Sequence, residues 1–205
     1  MPVFVEDYLI EVPEIEFDPT DPRWVELCQT SIWKEYPGFE GDGYPFELCS
    51  LDSINNSSIV KHYKNVFKDF DLRWSNYIST KTPQGDGGDP VARATQVHSG
   101  LVKGTLIKAD ISTQGIPQHI DATRTAGIVF PLTFPCDVNF HSTDHNGQEL
   151  NWLHKYKPVI TILNSGNIWH SVSTKQTGNP RYSFQLDCYN SWEEIVDLIN
   201  TLYNT

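Results

Sequence analysis

Three residues whose side chains can bind a transition metal lie in two short stretches of this 205-residue chain. His119 and Asp121 form an H-x-D sequence, and His170 follows within Asn167–Val172. Two histidines and one carboxylate are the ligand set that holds non-haem Fe(II) on one face and leaves other positions open. The sequence therefore predicts that His119, Asp121 and His170 bind one iron ion. The H-x-D pair alone is weak support, because the chain contains seven histidines.

A second pair of residues, Arg181 and Ser183, begins eleven positions after His170 and can bind an anion. Strand alternation places Arg181 and Ser183 on one face and apolar residues on the other. An arginine inside a β fold needs a counter-charge, because burying it alone costs several kcal/mol. A guanidinium fork with a nearby hydroxyl is suited to a dicarboxylate. The alternative is a solvated arginine at the rim of the fold.

The stretches around these residues indicate a series of short strands. Turn residues separate the runs, and no helical period intervenes, which is typical of a β-sandwich or barrel. The predicted strands are Val102–Asp110, Gln118–Asp121, Gly127–Leu132, Val138–His141, Pro158–Leu163, Ile168–Ser173 and Arg181–Cys188.

Helices are predicted on both sides of this β region. One begins at Asp21-Pro22 and ends at Pro37-Gly38, and a second spans Ser58–Phe70, whereas residues 40–56 are rich in turn formers and predict a loop. A last helix follows Ser191, with Glu194 as its capping-box partner. We therefore expect a mainly β protein with flanking helices. The expected organisation is one domain over residues 1–205, divided into an N-terminal part (1–100), a β core (101–188) and a C-terminal helix (190–204).

Composition limits the classes of partner. The formal net charge of −11 argues against a nucleic-acid backbone or an anionic membrane as the main partner. The N-terminal residues do not resemble a secretory signal, and no stretch approaches the length of a membrane span. The scattered cysteines predict reduced thiols and a cytoplasmic location, with two disulfides as the alternative. The cysteines are Cys28, Cys49, Cys136 and Cys188.

The sequence around the candidate ligands resembles that of a known protein family. Gly115–Asp121 and Gly166–Val172, followed by R-x-S, resemble the 2-oxoglutarate- and Fe(II)-dependent dioxygenases. The similarity is to the branch with aspartyl/asparaginyl and prolyl hydroxylases and their bacterial and phage relatives, and it covers about residues 101–188. The resemblance implies a double-stranded β-helix, which is a jelly-roll, cupin-like fold.

The resemblance also implies a role for each candidate residue. His119, Asp121 and His170 would bind Fe(II), Arg181 would pair with the distal carboxylate of 2-oxoglutarate, and Ser183 would assist it. The implied reaction is hydroxylation by O2, with release of succinate and CO2. The first hundred residues match no family that we can name, so the substrate stays open between a small molecule and a peptide or protein side chain.

Two other segments have alternative interpretations. His141, His145 and His154 include an H-x-x-x-H spacing that suggests zinc, but the turn residues Asn146 and Gly147 break the helix that this spacing requires. We therefore predict that these histidines are not metal ligands. The glycine-rich segment Lys81–Asp89 is predicted to be either a surface connection or a mobile lid over a site.

Two further functional classes are compatible with these features. One is another metalloenzyme on a cupin-like barrel that does not use 2-oxoglutarate. The other is a non-catalytic β-sandwich that acts as a binding module and in which the histidines are incidental. Arg181 with Ser183 argues against the first of these, because such an enzyme has no need of a dicarboxylate site.

Overall fold

The computed structural model describes most of the elements that the sequence predicts. It describes residues 1–5, 8–35, 46–49, 51–72, 104–109, 116–119, 121, 124–132, 138–143, 149–154, 158–174 and 181–203. The strands in these ranges are β1 (Val3–Val5), β2 (Leu9–Glu11), β3 (Trp33–Glu35), β4 (Phe46–Cys49), β5 (Gly104–Ala109), β6 (Ile116–His119), β7 (Ala126–Pro131), β8 (Val138–Thr143), β9 (Glu149–His154), β10 (Thr161–Leu163), β11 (Trp169–Thr174) and β12 (Arg181–Cys188). The helices are α1 (Pro22–Thr30), α2 (Leu51–Asn56), α3 (Ser58–Val66) and α4 (Trp192–Tyr203).

The described strands form two antiparallel sheets. The larger sheet has the order β1-β2-β10-β7-β12-β5-β4-β3, and the smaller sheet has the order β6-β11-β8-β9. From β5 onward the chain passes back and forth between the sheets, so that β5, β7, β10 and β12 lie in the larger sheet and β6, β8, β9 and β11 in the smaller one. The first hundred residues contribute strands at both edges of the larger sheet, because β2 pairs with β10 and β4 pairs with β5.

Helices α1, α3 and α4 contribute to one apolar core with one face of the larger sheet. Trp24 of α1 lies 5.3 Å from Phe184 of β12 and stacks on Tyr63 of α3 at 5.8 Å between ring centroids. Burial of side chains of this size contributes about 1.5–3 kcal/mol each. The sheet residues of this core occupy alternate positions on their strands, among them Ile10, Ile128, Phe130, Ile162, Phe184 and Leu186.

The opposite face of the larger sheet is also shielded from solvent but is partly polar. On β12, Ser183 and Asp187 are 2% and 1% exposed, although they alternate with the core residues Phe184 and Leu186. Buried polar groups need hydrogen-bond or charge partners. This second face therefore presents buried polar groups of the kind found at binding sites. The alternation of β12 predicts that its polar side chains share this face.

Several predicted boundaries are confirmed by local hydrogen bonds. The Asp21 carboxylate accepts from the Arg23 N–H at 2.8 Å at the start of α1. At α4, the Ser191 N–H donates to Glu194 Oε2 at 2.9 Å, and the Glu194 N–H donates to Ser191 Oγ at 3.2 Å. These reciprocal bonds are the predicted capping box.

Other boundary predictions were wrong. Helix α1 ends at Thr30 rather than at Pro37-Gly38, because the backbone of Ser31 turns to an extended conformation, with φ −68° and ψ 143°. The predicted loop over residues 40–56 contains β4 and α2, since β4 is recruited by pairing with β5. Strand β9 was not predicted. None of the helices that the structure describes is long and apolar enough to cross a membrane.

Candidate metal and co-substrate site

Two of the three predicted metal ligands lie on adjacent strands of the smaller sheet. Strands β6 and β11 pair so that His119 lies directly across from His170. Residues directly opposite in an antiparallel ladder share one face of the sheet. The His119 side chain lies outside the described part of the structure, whereas that of His170 is described and is 4% exposed.

Asp121 follows β6, and its carboxylate lies beside the His170 ring. The Asp121 N–H donates to the Ser165 carbonyl at 2.8 Å, which fixes this residue against the turn before β11. Asp121 Oδ2 is 3.8 Å from His170 Nε2. Imidazole and carboxylate ligands lie about 2.0–2.2 Å from a divalent transition metal, so two donors of one ion can be at most about 4.2 Å apart. The 3.8 Å between the Asp121 and His170 donors is below this maximum.

The His170 ring is oriented by a hydrogen bond at its other nitrogen. Nδ1 lies 3.1 Å from the Ile168 carbonyl oxygen, which can only accept. Nδ1 must therefore bear the proton, and in the neutral ring Nε2 keeps its lone pair and faces Asp121. Metal-binding histidines usually donate a hydrogen bond from the ring nitrogen that does not bind the metal, often to a backbone carbonyl.

Arg124, three residues after Asp121, connects the two sheets. Its Nε and Nη2 donate to Asp121 Oδ2 at 2.8 and 2.6 Å, and its Nη1 donates to Asp187 Oδ1 at 2.7 Å and to Gln185 Oε1 at 3.0 Å. Burial lowers the Arg124 pKa, but the charges of Asp121 and Asp187 outweigh burial, and the net effect raises the pKa above its ordinary value. The guanidinium is therefore permanently charged.

The charges of this cluster favour a cation. Arg124 neutralises one of the two carboxylates, so Asp121, Asp187 and Arg124 together have a formal charge of −1. His170 adds no charge when Nε2 is unprotonated. A divalent ion beside Asp121 would therefore be attracted by these three side chains despite the adjacent guanidinium.

Close backbone packing fixes the segment that contains Asp121 and Arg124. The Gly166 N–H donates to the Thr125 carbonyl at 2.8 Å. A Cβ at Gly166 would lie 2.1 Å from the Arg124 carbonyl oxygen and 2.9 Å from Thr125 Cα, which no side chain could tolerate without backbone movement. Gly166 is thus required for the approach of the turn before β11 to the Asp121–Arg124 segment.

The predicted anion-binding residues lie on β12. The Arg181 backbone is at the start of this strand, paired with Ala109 of β5, and its side chain lies outside the described residues. Ser183 is buried on the same strand face as Gln185 and Asp187, which contact Arg124. The structure therefore connects the strand of the predicted anion site with Asp121 through Arg124.

The other candidates are only partly described. The backbones of His141 and His154 lie in β8 and β9, while His145 and the segment Lys81–Asp89 lie outside the described residues. His141 pairs with Ser171, whereas His170 pairs with Ser142, so the two histidines occupy neighbouring positions of the ladder and not opposite ones. Consecutive strand residues occupy opposite faces of a sheet.

Among the side chains that the structure describes, Asp121 and His170 have no third histidine, cysteine or acidic ligand beside them. Cys28 and Cys188 are thiols, and the side chains of Cys49 and Cys136 lie outside the described ranges.

Sequence reasoning missed Arg124 and the glycine at position 166. The available signal for Arg124 was a basic residue three positions after the predicted carboxylate ligand and directly before the apolar run of β7. For Asp187 the signal was its place on the polar face of β12. No signal in the sequence alone pairs these two residues, because they are 63 positions apart.

Comparison with known proteins gives no assignment. No family model, no curated protein and no solved structure matches this chain.

Proposed function

We propose that this protein is an Fe(II)- and 2-oxoglutarate-dependent oxygenase that hydroxylates a substrate with O2. The observation that supports this most directly is the 3.8 Å separation of Asp121 Oδ2 and His170 Nε2, with His119 directly across the ladder from His170. Two ligands contributed by one H-x-D stretch and a third from a distant strand match the 2-His-1-carboxylate set.

The proposal includes a double-stranded β-helix, or jelly roll, for residues 101–188. Two features of the strand order support this fold. The eight strands β5 to β12 divide equally into four-stranded arrays, β10-β7-β12-β5 and β6-β11-β8-β9. The chain crosses between these arrays at every step except β8 to β9, as expected for two sheets wound from one folded-over ribbon.

Each residue then has a defined role. His119, Asp121 and His170 bind the iron, and the Ile168 carbonyl holds the His170 ring with Nε2 facing Asp121. When bound, the iron supplies the activation of O2, and oxidative decarboxylation of 2-oxoglutarate supplies two electrons. The balanced reaction converts a C–H bond, O2 and 2-oxoglutarate into C–OH, succinate and CO2. The substrate class is a small molecule or a peptide or protein side chain.

Arg181 and Ser183 bind the distal carboxylate of 2-oxoglutarate in this proposal. Ser183 is 2% exposed and therefore lies on a dehydrated surface of β12. Asp187 on the same face already pairs with the Arg124 guanidinium at 2.7 Å. A carboxylate of the co-substrate is the counter-charge that we propose for Arg181, by a fork of charge-assisted hydrogen bonds.

The test is metal binding by single variants of the purified protein. We expect one Fe(II) or Mn(II) per chain in the parent, and a large loss of affinity in His119→Ala, Asp121→Ala and His170→Ala. The matched control is the triple variant His141→Ala, His145→Ala, His154→Ala, which removes the other histidines of the same region. Retention of parental affinity in Asp121→Ala or His170→Ala, or loss of the metal in the control, would refute the ligand assignment.

The same samples distinguish the alternative classes. A metalloenzyme that does not use 2-oxoglutarate would bind the metal through the same residues but would not bind the co-substrate. A non-catalytic β-sandwich would bind neither, so titration of both components separates the three classes.

A further inference from the structure

The strands that the structure describes include four at sheet edges, namely β1 and β3 in the larger sheet and β6 and β9 in the smaller one. An edge strand presents unpaired backbone N–H and C=O groups, and proteins prevent unwanted pairing there with charged residues or proline. Three of these four edge strands contain such a residue: Lys34 and Glu35 in β3, Pro117 in β6 and Glu149 in β9. Strand β1 consists of Val-Phe-Val and contains none.

The side chains at β1 form an exposed apolar patch. The described residues include six exposed large apolar side chains, and three of them, Met1, Val3 and Phe4, lie within the first four positions. Val3 is 46% exposed and Phe4 is 41% exposed. Val3 pairs with Glu11 and Phe4 with Ile10, so Val3 and Phe4 lie on opposite faces of the sheet. A strand added at this edge would therefore contact apolar side chains on both faces.

We infer that β1 is a self-association surface, at which two copies of the chain pair antiparallel through their β1 strands. The Val-Phe-Val sequence reads the same in both directions, so a twofold axis at Phe4 places Phe4 opposite Phe4 and Val3 opposite Val5. Aromatic and β-branched cross-strand pairs stabilise a sheet, whereas like charges directly opposite each other destabilise it. An uncharged edge matters here, because each chain has a formal net charge of −11.

The flanking residues and the other edge limit this pairing to two copies. Pro2 precedes β1 and has no N–H to donate, and the charged Glu6 follows it. The twofold arrangement uses the β1 edge of both copies, while Lys34 and Glu35 disfavour pairing at β3, so the sheet does not extend into a fibre. A three-residue strand pair buries less than the roughly 1,200 Å² of a stable interface, so we expect a weak dimer with a Kd on the order of 100 μM.

The experiment combines sedimentation equilibrium with amide hydrogen exchange on the full chain, at protein concentrations from about 10 μM to about 1 mM. We expect the average mass to rise from that of one chain, 23.4 kDa, towards twice this value. Exchange of the N–H groups in the N-terminal peptide should slow over the same range of concentration, because pairing between copies protects them. The two readouts together identify both the dimer and the strand that forms it.

Val3→Lys is the test variant, because it introduces a charge at the edge while lying across from Glu11 within its own chain. Each dimer contains this substitution twice, so self-association should weaken roughly 5- to 30-fold. Val25→Lys is the matched control, since Val25 is a valine of similar exposure, 44%, on α1, and it should keep the parental association. If Val3→Lys does not fold, Phe4→Lys places two like charges opposite each other at the twofold axis and should abolish the dimer.

Three results would overturn the inference. One is a parent that stays at 23.4 kDa over the whole range of concentration. Another is parental self-association in the folded Val3→Lys or Phe4→Lys variant. The third is a dimer that forms without slower exchange in the N-terminal peptide, which would place the interface elsewhere. These outcomes are independent of the proposed function, because β1 contains none of the proposed metal or co-substrate ligands.

Discussion

Replacement of Gly166 by alanine tests whether close backbone packing holds Asp121 beside His170. The new Cβ would stand 2.1 Å from the Arg124 carbonyl oxygen and 2.9 Å from both Thr125 Cα and the Thr125 carbonyl oxygen. These are backbone atoms, so the clash can be relieved only by separating the two segments. The separation would also disrupt the hydrogen bonds from Gly166 N–H to Thr125 and from Asp121 N–H to Ser165, both 2.8 Å long.

The magnitude follows from these contacts. Overpacking costs about 1–3 kcal/mol, and each weakened backbone hydrogen bond adds about 1 kcal/mol. We therefore expect Gly166→Ala to lower the free energy of unfolding by roughly 2–5 kcal/mol. For a chain of this size, that corresponds to a decrease in Tm of roughly 5–15 °C. Metal affinity should fall as well, because Asp121 moves relative to His170.

Gly127→Ala is the control for this experiment. Its new Cβ would lie 3.2 Å from Arg124 Cζ, so it meets a side chain at a longer distance and no backbone atom. Urea denaturation should show that the free energy of unfolding of Gly127→Ala is within about 1 kcal/mol of the parental value, since alanine is slightly more favourable than glycine in a strand. If Gly166→Ala is as stable as the parent and binds metal equally well, the packing argument for the position of Asp121 is wrong.

Three further predictions concern other parts of the molecule. Arg181→Leu should weaken 2-oxoglutarate binding roughly 30- to several-thousand-fold, as expected for a cost of about 2–5 kcal/mol, whereas Arg181→Lys should retain weak binding. Titration of the Mn(II) form with 2-oxoglutarate measures both affinities. Parental affinity in the leucine variant would place the anion site elsewhere. Burial raises the pKa of the Cys188 thiol from 9.0 to about 11, so the thiol should resist Ellman's reagent at pH 8 in the folded chain. Its contribution to stability should be present below pH 9.0 and lost as the pH rises through about 11, and rapid labelling of the Cys188 peptide at pH 8 would contradict this. Ser191→Ala should lower the free energy of unfolding by about 1 kcal/mol, because it removes the cap of α4. Thr201→Ala, near the exposed end of the same helix, should change it by less than about 0.5 kcal/mol. Equal effects of the two substitutions in urea denaturation would contradict the role of the cap.

Local sequence patterns predicted the elements whose cause is local. The Asp21-Pro22 start of α1 and the Ser191–Glu194 capping box depend on residues within one helical turn, and both are present. The alternation of β12 predicted that Phe184 and Leu186 would enter the core and that Ser183 would not, because two successive side chains cannot occupy one face. The boundaries of β12 are those predicted.

Long-range pairing explains most of what the sequence did not predict. Residues 46–49 stand among turn formers and become β4 because β5 and β3 offer partners on its two sides. Ile32 lies within the predicted extent of α1, but it is 64% exposed and the helix ends before it. The pairing of His119 with His170 and of Arg124 with Asp187 depends on the order of strands in two sheets. Residue types could suggest these partners but could not supply their register.

We propose that His119, Asp121 and His170 bind one Fe(II) that also chelates 2-oxoglutarate. Addition of Fe(II) and 2-oxoglutarate to the full chain without oxygen tests it most directly, with visible absorption as the readout. We predict a new charge-transfer band that requires both components, saturates at one of each per chain, and is absent in Asp121→Ala and His170→Ala. The absence of a band in the folded parent with both components at saturating concentration, or an unchanged band in both variants, would contradict the account.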